Sequence, residues 1–405
     1  MRTTSARSIL LLSATALLPA LGYAQVKAVR AARFFTMAGD PVRNGVMLLE
    51  KGKIVAIGAD VAVPEGAEVL DFGAATVTPG FVDLHHHVSG SMGDINDMVH
   101  PTNPELRTLD VVRPSEKMIR IACAGGVTTT LFIPGSGTNL SGFGVLLKMH
   151  AGRKLEDMVI RELGAMKVAQ GYNPERRVGD LGNSRMGSHQ LLTETLMRGK
   201  RYAAAWRAFR DGKGPKPRKE PDLEQLRRVF DLEVPVIIHT AGARDCVATA
   251  RMFQDVFQVR MVLSHGTFDG HWAASALAAR HTPVNLGPRM YDFTKDGRFQ
   301  GIAEGYYRVG CTDLSINTDA PVIPAEQLQL QAAMAVRLGL PWRAALEALT
   351  IVPARQIGIA DRVGSLEKGK DADFFVCAGD PLDPRHPPQQ VFIDGRLVYR
   401  AGDPK

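Results

Sequence analysis

Cysteine is scarce. Cys123, Cys246, Cys311 and Cys377 stand far apart in a chain of 405 residues. That spacing shows no disulfide framework, and a chain this long has no need of staples, so buried free thiols are the expectation. Charge of one sign is also lacking. The formal net charge is +7, and residues 1–24 hold Arg2 and Arg7 and no acid, so the remainder carries two fewer, +5. An excess that mild does not argue for a nucleic-acid partner, and no RNA- or DNA-binding motif stands out. Long apolar runs are missing too. The stretch 9–21 falls short of the ~20 residues needed to cross a bilayer, and no other candidate span is found. Aromatic residues (6%) and charged residues (22%) are ordinary for a globular protein.

What is present begins with residues 1–24, which read as a secretory signal. Two arginines precede the apolar run, and Gly22-Tyr23-Ala24 supplies small residues before a cut. The expected location is periplasmic or secreted. With 45% hydrophobic residues, the rest is ample for one barrel-sized domain plus something smaller. Residues 26–76 alternate short apolar runs with turns, and a like pattern returns at 371–377 and 390–399. The two ends, 25–77 and 361–405, are expected to pair into one small β-sandwich domain, with 78–360 inserted between them. That middle repeats strand then helix. Strands are read at 81–84, 126–134, 144–149, 163–169, 234–239, 260–265, 282–286 and 312–318. Helices are read at 201–209, 222–230, 273–280 and 325–337. Strands alternating with helices imply a parallel sheet, and eight of them a (β/α)8 TIM barrel, class α/β. The basic, Pro-rich stretch 211–221 reads as a solvated connector.

The chain is organised around 77–87, VTPGFVDLHHH. An apolar strand opened by Pro-Gly ends in three histidines. Side chains alternate along a strand, so His85 and His87 share a face while His86 takes the other. Imidazole is the commonest metal ligand. In a barrel, reactive groups gather at the C-terminal strand ends. The fifth strand ends at His239, the sixth at His265 and the eighth at Asp319. Five N/O ligands in register, from 11 histidines scattered over the chain, mark a metal site.

These residues resemble the amidohydrolase superfamily. The return segment 349–376, LTIVPARQIGIADRVGSLEKGKDADFFV, is similar to imidazolonepropionase-like and dihydroorotase-like members. GVTTTLFIPGSG (126–137) and NTDAPVI (317–323) look like an often exported branch. The resemblance implies a pair of divalent metals bridged by a carbamylated lysine at the end of strand four. The candidate is Lys167. Glu162 is the rival, but it lies five residues earlier, roughly 16 Å down the same strand. His85 and His87 would hold one cation, His239 and His265 the other. Asp319 would act as general base and then acid. Zinc fits the ligand set, as do manganese, iron and cobalt.

Substrate contacts are expected from Tyr172, Arg185 and Arg289, on loops after strands four and seven; an arginine there could clamp a carboxylate. His86, His189 and His271 are read as neighbours of the site or surface residues. Ala320 departs from the family pattern, which often has a polar residue after the strand-eight aspartate. Tyr172 stands where relatives often carry an acid. The implied activity is hydrolysis of an amide, cyclic amide or small peptide. Two other readings stand beside it: a single-metal deaminase of a heterocycle, and a non-catalytic binding protein on a barrel scaffold. The partner is a small-molecule substrate, with neither nucleic acid nor membrane after signal removal; a homo-oligomer is compatible.

Overall fold

The computed structural model describes residues 26–150, 152–171, 173–175 and 182–403. The signal segment and Tyr172 lie outside them. The chain opens with five strands, β1 (Lys27–Phe34), β2 (Val42–Glu50), β3 (Lys53–Gly58), β4 (Glu68–Asp71) and β5 (Thr76–Pro79). Eight more form a second sheet: β6 (Phe81–His86), β7 (Val127–Phe132), β8 (Leu140–Lys148), β9 (Val159–Ala169), β10 (Val236–Thr240), β11 (Met261–His265), β12 (Val284–Leu286) and, after a small hairpin of β13 (Tyr291–Phe293) and β14 (Phe299–Gly301), β15 (Leu314–Ile316). The chain closes with β16 (Phe374–Cys377), β17 (Gln390–Ile393) and β18 (Arg396–Arg400).

Both chain ends share one continuous eight-stranded sheet, ordered β18-β17-β16-β5-β1-β2-β3 with β4 beside β1. Its join is antiparallel, with Val376 opposite Val77. The rings of Phe374 and Phe392 stack at 4.6 Å within its core. The chain leaves this sheet at Pro79-Gly80 and enters the second one directly. Gly80 donates its N–H to Asp373 O, and a Cβ there would lie 2.0 Å from Thr128 Oγ1. Only glycine fits that crossing.

The second sheet runs β6-β7-β8-β9-β10-β11-β12-β15. Its two edges meet where His86 bridges Ala320 and His87 N–H donates to Ala320 O at 3.0 Å. The result is a nearly closed barrel. It departs from the expected parallel order at one place: β8 is antiparallel to both β7 and β9. The reason is chain length. Residues 133–139 are too few for a parallel crossover, which takes a dozen or more, whereas a hairpin fits. β8 also begins earlier than residue 144: Gly142 sits inside the strand with φ +106°, and a Cβ there would meet Leu106 O at 2.4 Å. Helix Ile351–Ile357 closes the N-terminal end of the barrel. Its Ala354 and Ile357 join Leu84, Leu131, Ile237 and Val262 in a lumen cluster. All four cysteines are buried and unpaired, and burial pushes the thiols of Cys123, Cys246 and Cys311 up to about 12.

A buried ion network fastens barrel to terminal sheet. Lys148, at the end of β8, is 3% exposed. Its ammonium lies 2.6 Å from Asp371 and 3.0 Å from Asp373 and also contacts Asp394. Arg362 and Lys53 share Asp371. Burial alone would depress the Lys148 ammonium, but the surrounding carboxylates outweigh it and hold it above its ordinary value. Removing one partner strands the others without compensation. Lys148→Met should therefore lower stability by about 3–5 kcal/mol, read from urea unfolding; a loss under about 1 kcal/mol would refute the network's role at the junction.

Candidate metal centre

The site assembles at the C-terminal strand ends. β6 slips register between Asp83 and His86. Asp83 Oδ1 accepts the His85 backbone N–H at 3.0 Å, and Oδ2 accepts from the Thr318 hydroxyl at 2.5 Å and the Thr318 N–H at 3.4 Å. One fully buried carboxyl thus ties the first barrel strand to the segment bearing Asp319. Burial pushes Asp83 up to about 7, against the hydrogen bonds it accepts. Sequence reasoning passed over Asp83, although an acid two residues before His-x-His on an apolar strand was a visible signal.

His85 Nε2 and His87 Nε2 each lie 3.3 Å from Asp319 Oδ1. Lys167 Nζ is 3.2 Å from His85 Nε2. The His265 ring sits 4.4 Å, centroid to centroid, from both His85 and His239. Two trios, His85–His239–His265 and His85–His87–Asp319, have ligand atoms mutually within 4.8 Å. His265 directly follows Ser264, so alternation should turn one of them away. Instead His265 has φ 79° and Asp319 φ 50°, left-handed values that re-aim the side chain at the strand end.

The nitrogens suit a cation. His265 donates from Nδ1 to Gly287 O at 2.7 Å, leaving Nε2 as a buried lone pair with no partner. His87 Nδ1 lies 3.0 Å from Ile133 O. Carbonyl partners on the far nitrogen set the metal-binding tautomer. Burial, then the charge of Lys167 or the neighbouring imidazoles, holds His85 and His239 well below the usual histidine range, so both stay neutral, as ligation requires. Burial also brings Lys167 down to about 7, against the pull of Asp319. A neutral lysine amine is the form that takes up CO2. For Asp319 burial works against the charge, yet the hydrogen bond from His87 and the surrounding cationic groups win and lower it.

The other candidates are scattered. Glu162 is 67% exposed near the far end of β9, 3.8 Å from Arg107; it does not reach the cluster. Arg185 opens helix Arg185–Arg210 and pairs with Glu175 at 3.1 Å and Asp245 at 3.2 Å. Arg289 donates to Tyr291 O at 2.9 Å, with its guanidinium over the rings of Phe268 and Tyr291. His86 turns to Ser89 Oγ at 3.1 Å. His271 contacts Phe268 O and Gln300, and His189 is exposed.

A barrel carrying a histidine–aspartate cluster at its strand ends defines the class, an α/β barrel protein with a candidate metal centre. The model of the Amidohydrolase family matches residues 305–398. An amidohydrolase of Hapsidospora irregularis is 28% identical over 88% of this chain, which spans 40% of that protein's length. An imidazolonepropionase of Mesorhizobium japonicum is 25% identical, covering 94% of this chain and 96% of its own. The crystal structure of an amidohydrolase from Thermotoga maritima superposes with a TM-score of 0.82 at 29% identity, covering 92% of this chain and 99% of that one. The family model and these relatives support a place in the amidohydrolase superfamily and a hydrolase acting on carbon–nitrogen bonds.

In the metal-free protein the buried imidazoles make stability depend on pH. His86 falls from 6.5 in the unfolded chain to about 3 in the folded one, and His85, His239 and His265 are lowered as well. As pH drops below 6.5 the unfolded state takes up protons and the folded state does not, so stability is lost. Asp83 works the opposite way between 3.8 and about 7, one group against four. The urea midpoint should fall steadily from pH 7 to pH 4, and less steeply in His86→Asn; a flat profile would contradict neutral burial.

Proposed function

We propose that the protein is a metal-dependent hydrolase of amide, cyclic amide or small peptide bonds, exported by residues 1–24. The observation that carries this reading is the convergence of His85, His87, His239, His265, Lys167 and Asp319 at one end of the barrel, with a lone pair on His265 left without a partner. The donor set, imidazole and carboxylate, suits zinc and its neighbours. In this reading His85 and His87 would hold one cation and His239 and His265 the other, with Lys167, as a carbamate, available as a further ligand. When bound, the metal supplies polarisation of the substrate carbonyl and activation of water near neutral pH.

The chain's own residues supply the rest. The Asp319 side chain is 16% exposed, more than His85 or His87 beside it, so it faces the incoming substrate. Held as a carboxylate, it accepts the proton of the attacking water and hands it to the leaving nitrogen. Lys167, wholly buried, is kept from bulk solvent. Arg289, backed by two aromatic rings, offers a guanidinium to a substrate carboxylate. A second reading, a single-metal deaminase, is favoured by one feature: His85 belongs to both ligand trios, so the two positions compete for it.

Three measurements test this. The purified protein under metal-replete conditions should bind one to two zinc ions per chain; fewer than one would sink the hydrolase reading. Turnover should appear in a screen of dipeptides, N-acyl amino acids and cyclic amides and drop about 10²–10⁴-fold in Asp319→Asn. Turnover that survives would refute the role of Asp319. Lys167→Ala should lose bound metal and activity together, whereas retention of both favours the deaminase.

A further inference from the structure

We propose that a one-way hydrogen-bond thread through the barrel lumen holds His85 as its Nδ1–H tautomer and so presets Nε2 as a ligand lone pair. The thread comprises His85, Ser264, Asn285, Ser315 and Gln356, all buried. His85 Nδ1 lies 2.6 Å from Ser264 Oγ. The Asn285 carboxamide spans the next gap, with Nδ2 3.5 Å from Ser264 Oγ and Oδ1 3.0 Å from Ser315 Oγ. Ser315 Oγ is 2.6 Å from Gln356 Oε1. Ser264, Asn285 and Ser315 are lateral partners on β11, β12 and β15, so their side chains share one layer of the lumen.

The direction of the thread follows from its far end. Gln356 Nε2 faces the backbone carbonyls of Val284 at 3.2 Å and Asp313 at 3.1 Å. Carbonyls cannot donate, so the amide nitrogen belongs there and the oxygen faces Ser315. Ser315 has one proton and two neighbours; its shorter contact is to Gln356, which takes the proton. Ser315 then shows only lone pairs to Asn285, which must answer with its NH2. The carboxamide's ends are alike in shape, so it turns over and aims its oxygen at Ser264. Ser264 donates to that oxygen and is left accepting from His85 Nδ1–H. Every hydroxyl now donates once and accepts once, and no two donors face each other.

At the near end both Lys167 Nζ, at 3.2 Å, and the Asp319 Oδ1 acceptor, at 3.3 Å, face His85 Nε2, so the direction of the thread is set from its far end. Gln356, on the helix that closes the opposite end of the barrel, thereby acts as a positioning residue for His85.

The thread rests on His85 being a metal ligand, and the tests separate the two. In metal-free protein labelled with ¹⁵N-histidine, long-range ¹H–¹⁵N spectra should show His85 as Nδ1–H, assigned by the signal lost in His85→Asn. An Nε2–H pattern overturns the thread and leaves the metal reading untouched. Ser264→Ala should weaken zinc binding on the order of 10–100-fold in competition with a chromophoric chelator, and Ser264→Thr, which keeps the hydroxyl, should restore it. Equal affinity in the alanine variant overturns the proposal. Gln356→Leu frees the Ser315 proton for Asn285 and should move His85 toward Nε2–H; an unchanged His85 spectrum in the folded variant refutes the assigned direction. A wild-type protein that binds no zinc refutes the ligand assignment instead.

Discussion

The Asp83 carboxyl is the constraint on which the site depends. It lies fully buried at the seam of the barrel and takes one hydrogen bond from its own strand, at His85, and two from Thr318, at the end of the last strand. First and last strands share little ladder: β6 and the segment after β15 meet in a bridge between His86 and Ala320 and in the His87 bond to Ala320 O. A side chain that binds both sides therefore sets the spacing of His85 and His87 from Asp319. A carboxyl so buried is costly unless its oxygens are satisfied, and here both are.

Around that tie, the site gathers groups that disfavour one another in the absence of a cation. His85, His239 and His265 share a small volume with Lys167, and burial together with mutual repulsion holds the imidazoles neutral. The far nitrogens of His265 and His85 meet Gly287 O and Ser264 Oγ, and His87 Nδ1 meets Ile133 O, so the other ring nitrogens face the cluster. A divalent cation answers that arrangement. The left-handed backbone at His265 and Asp319 is a further local cost, of the kind that concentrates where function requires a fixed aim.

The barrel lumen is divided in character. On the side of β6, β7 and β9–β11 it is apolar and packs on helix Ile351–Ile357. On the side of β11, β12 and β15 a polar layer runs from His85 to Gln356 on that same helix. The helix thus serves packing and polar satisfaction at once. Outside the barrel, Lys148 and its three aspartates join β8 to the return strands of the terminal sheet.

Much of this was legible in the chain. The apolar strands are short and bounded by turns, so seven of the eight directions came through. His85, His87, His239, His265 and Asp319 each end an apolar run, and Lys167 stands four residues before Gly171, where its run stops. Residue type and strand period pointed to His85 and His87 sharing a face with His86 turned aside, whereas the aim of His265 and Asp319 rests on left-handed backbone. Type and period could not determine the sense of β8, which depends on how little chain joins it to β7. Nor could they show what Arg185 and Arg289 contact, because loop partners come from distant segments. Asp83, Ser264 and Gln356 went unnoticed for the same reason: a carboxyl, a hydroxyl and an amide are ordinary residues until folding buries them. Only tertiary structure decides which far-off donor satisfies a buried polar group, since hydrogen bonds act over a few ångströms and are indifferent to separation along the chain.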